Sequence, residues 1–247
     1  GYMKHIAKLL WLTFFIPLLS STASAQDTEE ETSRWQIGLT AGINIPLSDF
    51  ADKLDENFKS GYAMLGATSR LRTSYHPNSK LYIAADYVWF YNPSDAKTLL
   101  NSLVETNPSG PRYKTTTYPW KVNSLLLGLG TTLNFNEQTD ATLRGMLGFA
   151  NGKYSKRIYQ SFDGVKTLQV TENASSVIDI ALNLGFEVKY SFHKNVGVMF
   201  AGDYFRTEFN YDDVYLIYSE NGEKRSTGAY SQPVDVFQFS AGIFTKF

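Results

Sequence analysis

Eight segments of this chain repeat their hydrophobic residues every second position, and the connections between them run long, short, long, short, long, short, long. A two-residue period puts apolar side chains on one face of a strand and polar ones on the other. Tight turns at one rim and extended connections at the other suit a sheet closed into a barrel and threaded through a membrane. The chain ends Phe237-Gln238-Phe239-Ser240-Ala241-Gly242-Ile243-Phe244-Thr245-Lys246-Phe247, with an aromatic last on the apolar face.

The expected fold is all-β: an eight-stranded antiparallel up-and-down transmembrane β-barrel with short periplasmic turns and long extracellular loops. The first strand carries Trp35, Ile37, Leu39, Ala41, Ile43 and Ile45 outward, and Pro46 is expected to end it because proline cannot donate to a ladder. The second, Gly61 to Ser74, puts Ala63, Leu65, Ala67 and Leu71 outward and Arg70 and Arg72 inward. The third is Leu81 to Tyr91 and the fourth Trp120 to Phe135, where inward Gly128 and Gly130 leave room in a narrow barrel. The fifth has Leu143, Leu147 and Phe149 outward, continues as a ribbon to about Tyr159, turns at Asp163-Gly164 and returns through Thr167 to Thr171. The sixth, Val177 to Phe192, alternates most cleanly, so a one-residue slip would put Asp179, Asn183, Glu187 and Lys189 in lipid. The seventh is Val196 to Phe209, and the eighth closes the sheet. Pro46–Ser60, Asn92–Pro119, Lys156–Ser175 and Asn210–Pro233 form the four long loops.

The two faces distinguish lipid from lumen. The apolar face carries aromatics at its ends: Trp35, Phe135, Tyr190, Phe192 and Phe247 at the short-turn rim, and Tyr87, Trp89, Tyr91, Phe149, Tyr204 and Phe237 toward the other. Two aromatic belts flanking an aliphatic band match rings settling at headgroup level. The opposite face collects Arg70, Arg72, Asp86, Arg144, Asp179, Glu187, Lys189, Asp203 and Lys246. A soluble lipocalin-like barrel would reverse these faces. Charges of both signs inside a narrow lumen are expected to pair.

The N-terminal stretch reads as a targeting segment. Lys4 and Lys8 precede the apolar run Leu9 to Leu19, and Ser20 to Ala25 supplies small residues for cleavage. That run is shorter than the ~20 residues of a spanning helix. Residues 1–25 (with Gly1 and Tyr2 before Met3) are thus the expected signal peptide, 26–34 an acidic leader, and 35–247 a single barrel domain. Without Lys4 and Lys8, 21 of the 23 basic residues remain against 24 acidic ones, which argues against nucleic acid as a partner. The chain has no Cys, so neither disulfides nor thiolate metal sites are available.

In its eight-segment topology and terminal strand, the region from Trp35 to Phe247 resembles the small outer-membrane β-barrels of the OmpA/OmpX-like kind. That resemblance implies the outer membrane of a Gram-negative bacterium, both termini periplasmic, and outer-membrane lipids as surroundings. It also implies a signal for the barrel-assembly machinery in Phe239, Ala241, Ile243 and Phe247. Thr245 departs mildly from the hydrophobic pattern of such signals. The family is specific for fold and poor for activity, since it includes adhesins, structural barrels, small pores and lipid-modifying enzymes.

Little catalytic chemistry is legible. Of three histidines, His5 falls in the signal, while His76 and His193 fall on short turns. A Ser-His or Asp-His pair at the outer rim is therefore unavailable. Asp212-Asp213 reads as a solvated pair, and no cofactor, metal or catalytic residue is expected. The leading expectation is a non-enzymatic sealed scaffold whose long loops, with Tyr211, Tyr215, Tyr218 and Tyr230, meet a protein partner or a surface. Open beside it stand a narrow, porin-like pore or conduit for a small solute, and an accessory subunit of an export or assembly complex.

Overall fold

The computed structural model describes residues 34–53, 59–106, 110–162 and 164–247. The expected signal peptide, nearly all of the leader, and Asp163 of the expected hairpin turn lie outside the described residues. Eight antiparallel strands form a closed ring: β1 (Trp35–Leu47), β2 (Gly66–Tyr75), β3 (Leu81–Asn92), β5 (Trp120–Asn134), β6 (Thr139–Lys153), β9 (Val177–His193), β10 (Val196–Tyr218) and β11 (Lys224–Lys246). Each pairs with its neighbour in this order, and β11 returns to β1 with Ala41 opposite Ala241. The last rungs of closure are reciprocal: Trp35 N donates to Phe247 O at 3.0 Å and Phe247 N to Trp35 O at 2.9 Å. Closure leaves the ring no open edge, which a strand facing hydrocarbon requires because nothing there replaces a lost backbone hydrogen bond.

The side-chain parity follows the expected alternation. Along β1, Gln36, Thr40 and Asn44 are buried while Trp35, Ile37, Leu39 and Ile43 are exposed. The outer faces of β5 and β9 expose Leu125, Leu127, Leu129, Ile178, Ile180 and Phe186. Such a continuous apolar outer surface is not sustainable in water. Strands of 15 and 17 residues in β5, β6 and β9 exceed the ~9–11 needed to cross a bilayer. Short turns join β2 to β3, β5 to β6 and β9 to β10, so the tight rim is where the spacing places it.

Five local expectations are corrected. Pro46 does not end β1; the strand runs to Leu47, with Pro46 opposite Val236. Pairing with β2 stops at Asn44, so Pro46 has a partner strand on one side only, where proline is tolerated. β2 begins at Gly66, and Ala63 is buried and bridged to Ser94 instead of facing outward. Residues 60–64 instead cross the barrel mouth as a strap. It is pinned to the short helix α1 (Ser48–Ala51) by Gly61 N–H to Asp49 O and Ala63 N–H to Phe50 O, at 2.9 and 3.0 Å. Tyr62 there takes a left-handed backbone, φ 52°, uncommon for a bulky residue.

The connection 92–119 is not plain loop but holds helix α2 (Ala96–Thr106) and strand β4 (Arg112–Thr117). The ribbon after β6 is not continuous with it: Tyr154 turns inward, and the chain resumes as β7 (Arg157–Phe162) and β8 (Thr167–Ala174). The segment Asn210–Pro233 is not a loop either. β10 and β11 are 23 residues each and run together past the barrel, so Tyr211, Tyr215, Tyr218 and Tyr230 are strand residues. β8 pairs with the projecting end of β10, β7 with β8, and β4 with β7. The long-connection rim therefore carries a small sheet of β8, β7 and β4 that continues the ring's own sheet from the projecting end of β10.

Candidate functional site

The barrel interior is the densest constellation of chemistry in the chain. Register builds its centre, because Arg72 on β2 lies directly opposite Asp86 on β3. The pair is bidentate: Arg72 Nε donates to Asp86 Oδ1 at 2.7 Å and Nη2 to Oδ2 at 2.5 Å. Arg72 Nη1 reaches across to Glu187 Oε2 at 2.6 Å. Arg70, two residues earlier and so on the same face, donates to Asp86 at 3.1 Å, to Asp203 at 2.7 Å and to Gln238 Oε1 at 3.0 Å. Arg144 on β6 donates to Asp203 Oδ1 at 2.6 Å and lies 3.7 Å from Glu187. These six side chains are no more than 4% exposed and their formal charges cancel. Pairing of this kind offsets a desolvation cost of several kcal/mol for each ion.

Nearer the short-turn rim, Lys189 lies 3.4 Å from Asp140 and 3.8 Å from Glu187, and donates to Gln36 Oε1 at 3.2 Å. Lys246 lies 3.6 Å from Asp140. Eight of the nine expected lumen charges thus converge. Asp179 does not join them. It sits at the far end of β9 and accepts the Asn210 backbone N–H at 2.9 Å. Asp140 belongs to the network and was missed, because its neighbours read as a turn. Its even-numbered parity with Thr142 and Arg144, and its register partner Lys189, are the signals that could have found it.

Space for the ions comes from glycine. A Cβ on Gly185 would stand 2.1 Å from Asp203 Oδ1 and 2.9 Å from Arg144 Cζ. Gly130 does the same for the Tyr82 ring, 2.2 Å from where its Cβ would be, in line with the expectation that it leaves room.

Toward the other rim the interior changes character. Phe90 and Phe205 meet edge-on with ring centres 5.2 Å apart, and Leu126, Met146 and Phe209 pack around them. Above these, Trp120 packs between Phe50 of α1 and Tyr154, at 5.8 and 5.1 Å, and donates its indole N–H to Gly61 O of the strap at 2.8 Å. Sequence reasoning missed this apolar plug because inward Val88 and Phe90 follow Asp86 on the same parity, and alternation fades where both faces are apolar. Ion pairs and aromatic rings therefore occupy the barrel interior in two successive layers.

On the outer surface, Trp35, Phe135, Tyr190, Phe192 and Phe247 stand exposed at the short-turn rim, with Trp35 against Tyr75 at 5.0 Å. Tyr87 and Phe149 are exposed toward the other rim, where Trp89, Tyr91, Tyr204 and Phe237 are half-buried on the same face. Phe186, Phe200 and Phe239 lie exposed between these sets, so the band is not purely aliphatic. On β11 and one residue past its end, Phe239, Ala241, Ile243, Thr245 and Phe247 stand exposed on alternate positions.

His76, in the turn between β2 and β3, stacks on Tyr82 at 5.1 Å with Ser74 Oγ 3.1 Å from its Nε2. Burial first, then the charges of Lys189 and Lys246, lower its pKa from 6.5 to about 4. In that window the unfolded chain takes up a proton that the folded ring refuses, so stability falls as pH drops from 6.5 toward 4. His76→Gln should flatten this part of the profile. Urea midpoints of both proteins across the window test it, and equal pH slopes would refute the role given to His76.

No protein-family model matches the chain, and no curated protein matches it. Solved structures do. A major outer membrane protein from Thermus thermophilus superposes with a TM-score of 0.51 at 12% identity, covering 86% of this chain and 99% of that one. Neisserial surface protein A gives 0.46 at 16% identity, covering 88% and 100%. OprG from Pseudomonas aeruginosa gives 0.45 at 16%, covering 90% and 99%. The Thermus superposition supports the barrel fold described above. In fold, this chain is a closed eight-stranded antiparallel β-barrel, similar to that outer membrane protein.

Proposed function

We propose that the protein is a sealed, non-enzymatic barrel of a Gram-negative outer membrane, with both termini periplasmic, that serves as a rigid scaffold for its extracellular end. The observation that carries this reading is the double plug. A conducting lumen needs a continuous water path, whereas here Arg70, Arg72 and Arg144 lock Asp86, Glu187 and Asp203 across the bore beneath a layer of aromatic rings. Eight strands leave an interior that side chains just fill.

Work at the exterior falls to the projecting sheet of β4, β7, β8, β10 and β11, where rigidly held side chains can meet a partner. The outward face of β11, ending at Phe247, is the surface offered to the assembly machinery, and membrane lipid contacts the apolar band. The test is electrical. Purified barrel in a planar bilayer should show no stable conductance steps, and reproducible single-channel steps would replace the scaffold with the pore reading.

A further inference from the structure

At the extracellular end an open cleft of about 1120 Å³ lies between α2, the small sheet and the projecting β10–β11 ribbon. Leu99 and Leu103 of α2, Val170 of β8, and Leu216 and Tyr218 of β10 contribute apolar wall. Polar chemistry gathers at Arg157 and Glu172, opposite each other on β7 and β8. Glu172 is satisfied: Tyr154 and Tyr159 donate their hydroxyls to it, the latter at 3.0 Å, and Arg157 Nη1 approaches at 3.5 Å.

Arg157 is not. It is 9% exposed, and its Nε and Nη2 are buried with no hydrogen-bond partner among the described residues. These two N–H groups form one edge of the guanidinium, the same edge that Arg72 presents to both oxygens of Asp86. A planar pair of donors fits a carboxylate bidentately. The rings of Tyr62 and Tyr154 flank the guanidinium at 5.4 and 5.8 Å. Burial opposes the charge on Arg157, yet Tyr154 and Glu172 beside it raise its pKa above the usual value, so it remains a cation.

We propose that this cleft binds a small amphiphile with a single carboxylate, its head on Arg157 Nε and Nη2 and its apolar body along Leu99, Leu103 and Leu216. The proposal deepens the scaffold reading and rests on it, since it gives the extracellular sheet a ligand.

The test uses barrel in lipid nanodiscs, with empty discs as control, titrated with 4-phenylbutyrate and with its neutral amide by saturation-transfer NMR. The carboxylate should bind saturably and about tenfold tighter than the amide, as expected for charged hydrogen bonds to a buried guanidinium. Arg157→Gln should shrink that gap to within about twofold while the barrel keeps its heat-modifiable migration. Leu103→Glu on the surface of α2 should weaken only the acid, because it puts a like charge on the wall without touching the Arg157–Glu172 pair. Equal binding of acid and amide, an unchanged preference in both variants, or no signal above empty discs overturns the proposal. Electrical silence of the same preparation keeps the scaffold reading standing in that event. Conductance steps would remove that reading and, with it, the role given to the cleft.

Discussion

Asp86→Leu should lower the unfolding free energy of the barrel by about 3–5 kcal/mol, because it takes a carboxylate partner from two buried guanidinium groups at once. Asp86 accepts from both Arg72 and Arg70, and it is wholly buried. Glu187 and Asp203 then face three arginines alone, and a net charge of one sign is left in a narrow space. Urea titration in lipid vesicles, followed by Trp emission, measures the loss.

The companion experiment separates a missing partner from a missing interaction. Asp86→Leu together with Arg72→Met removes both ends of the bidentate pair and should recover part of the loss, since replacing a buried ion pair by apolar groups is often close to neutral. Asp179→Ala is the control: its side chain shares the parity of the network but bonds only at the rim, so its effect should stay within about 0.5 kcal/mol. A single Asp86→Leu variant as stable as wild type would show that the network contributes little to the stability of the barrel.

The network is legible in the sequence only through contrast between faces. Arg70, Arg72 and Asp86 each sit between two apolar neighbours or beside one, so a polar residue on every second position marks the inside. The same rule gave the eight ring strands and the tight rim. It failed where contrast vanishes. Phe90, Phe205 and Phe209 are inward and apolar, and alternation cannot tell inward phenylalanine from outward phenylalanine.

The projecting sheet was hidden for a different reason. Along β4, β7 and β8 most side chains are at least part-exposed, so burial imposes little pattern: Arg112–Thr117 read as loop, and only the Asp163-Gly164 dipeptide marked the ribbon whose return runs through Thr167 to Thr171. Tyr211 and Tyr230 look like surface tyrosines by composition. They are opposite partners in a ladder, and Tyr211 is buried against Tyr154, a contact set by pairing over long sequence separation. Arg157 was passed over similarly: a lone basic residue after a strand looks solvated until Tyr62, Tyr154 and Glu172 close around it.

Leu127→Arg should cost about 2–4 kcal/mol, and Leu133→Arg only about 0–1 kcal/mol, although both replace an exposed leucine on the same face of the same strand. Leu127 is the central residue of β5, between Ala85 and Leu147 on its neighbours, and is 64% exposed. Leu133 lies at the tight rim beside Ala141, and is 51% exposed. Water around this ring would make the two substitutions equivalent and harmless, since a charge on an exposed strand residue costs almost nothing there. Hydrocarbon around it makes depth the deciding variable, because an arginine near the rim extends its guanidinium to the headgroups while one at the middle cannot. The same urea titration in vesicles reads both variants. Equal losses at the two positions would mean that the apolar band does not face a bilayer, and a steep difference in favour of Leu133→Arg would locate the midplane of the barrel near Leu127.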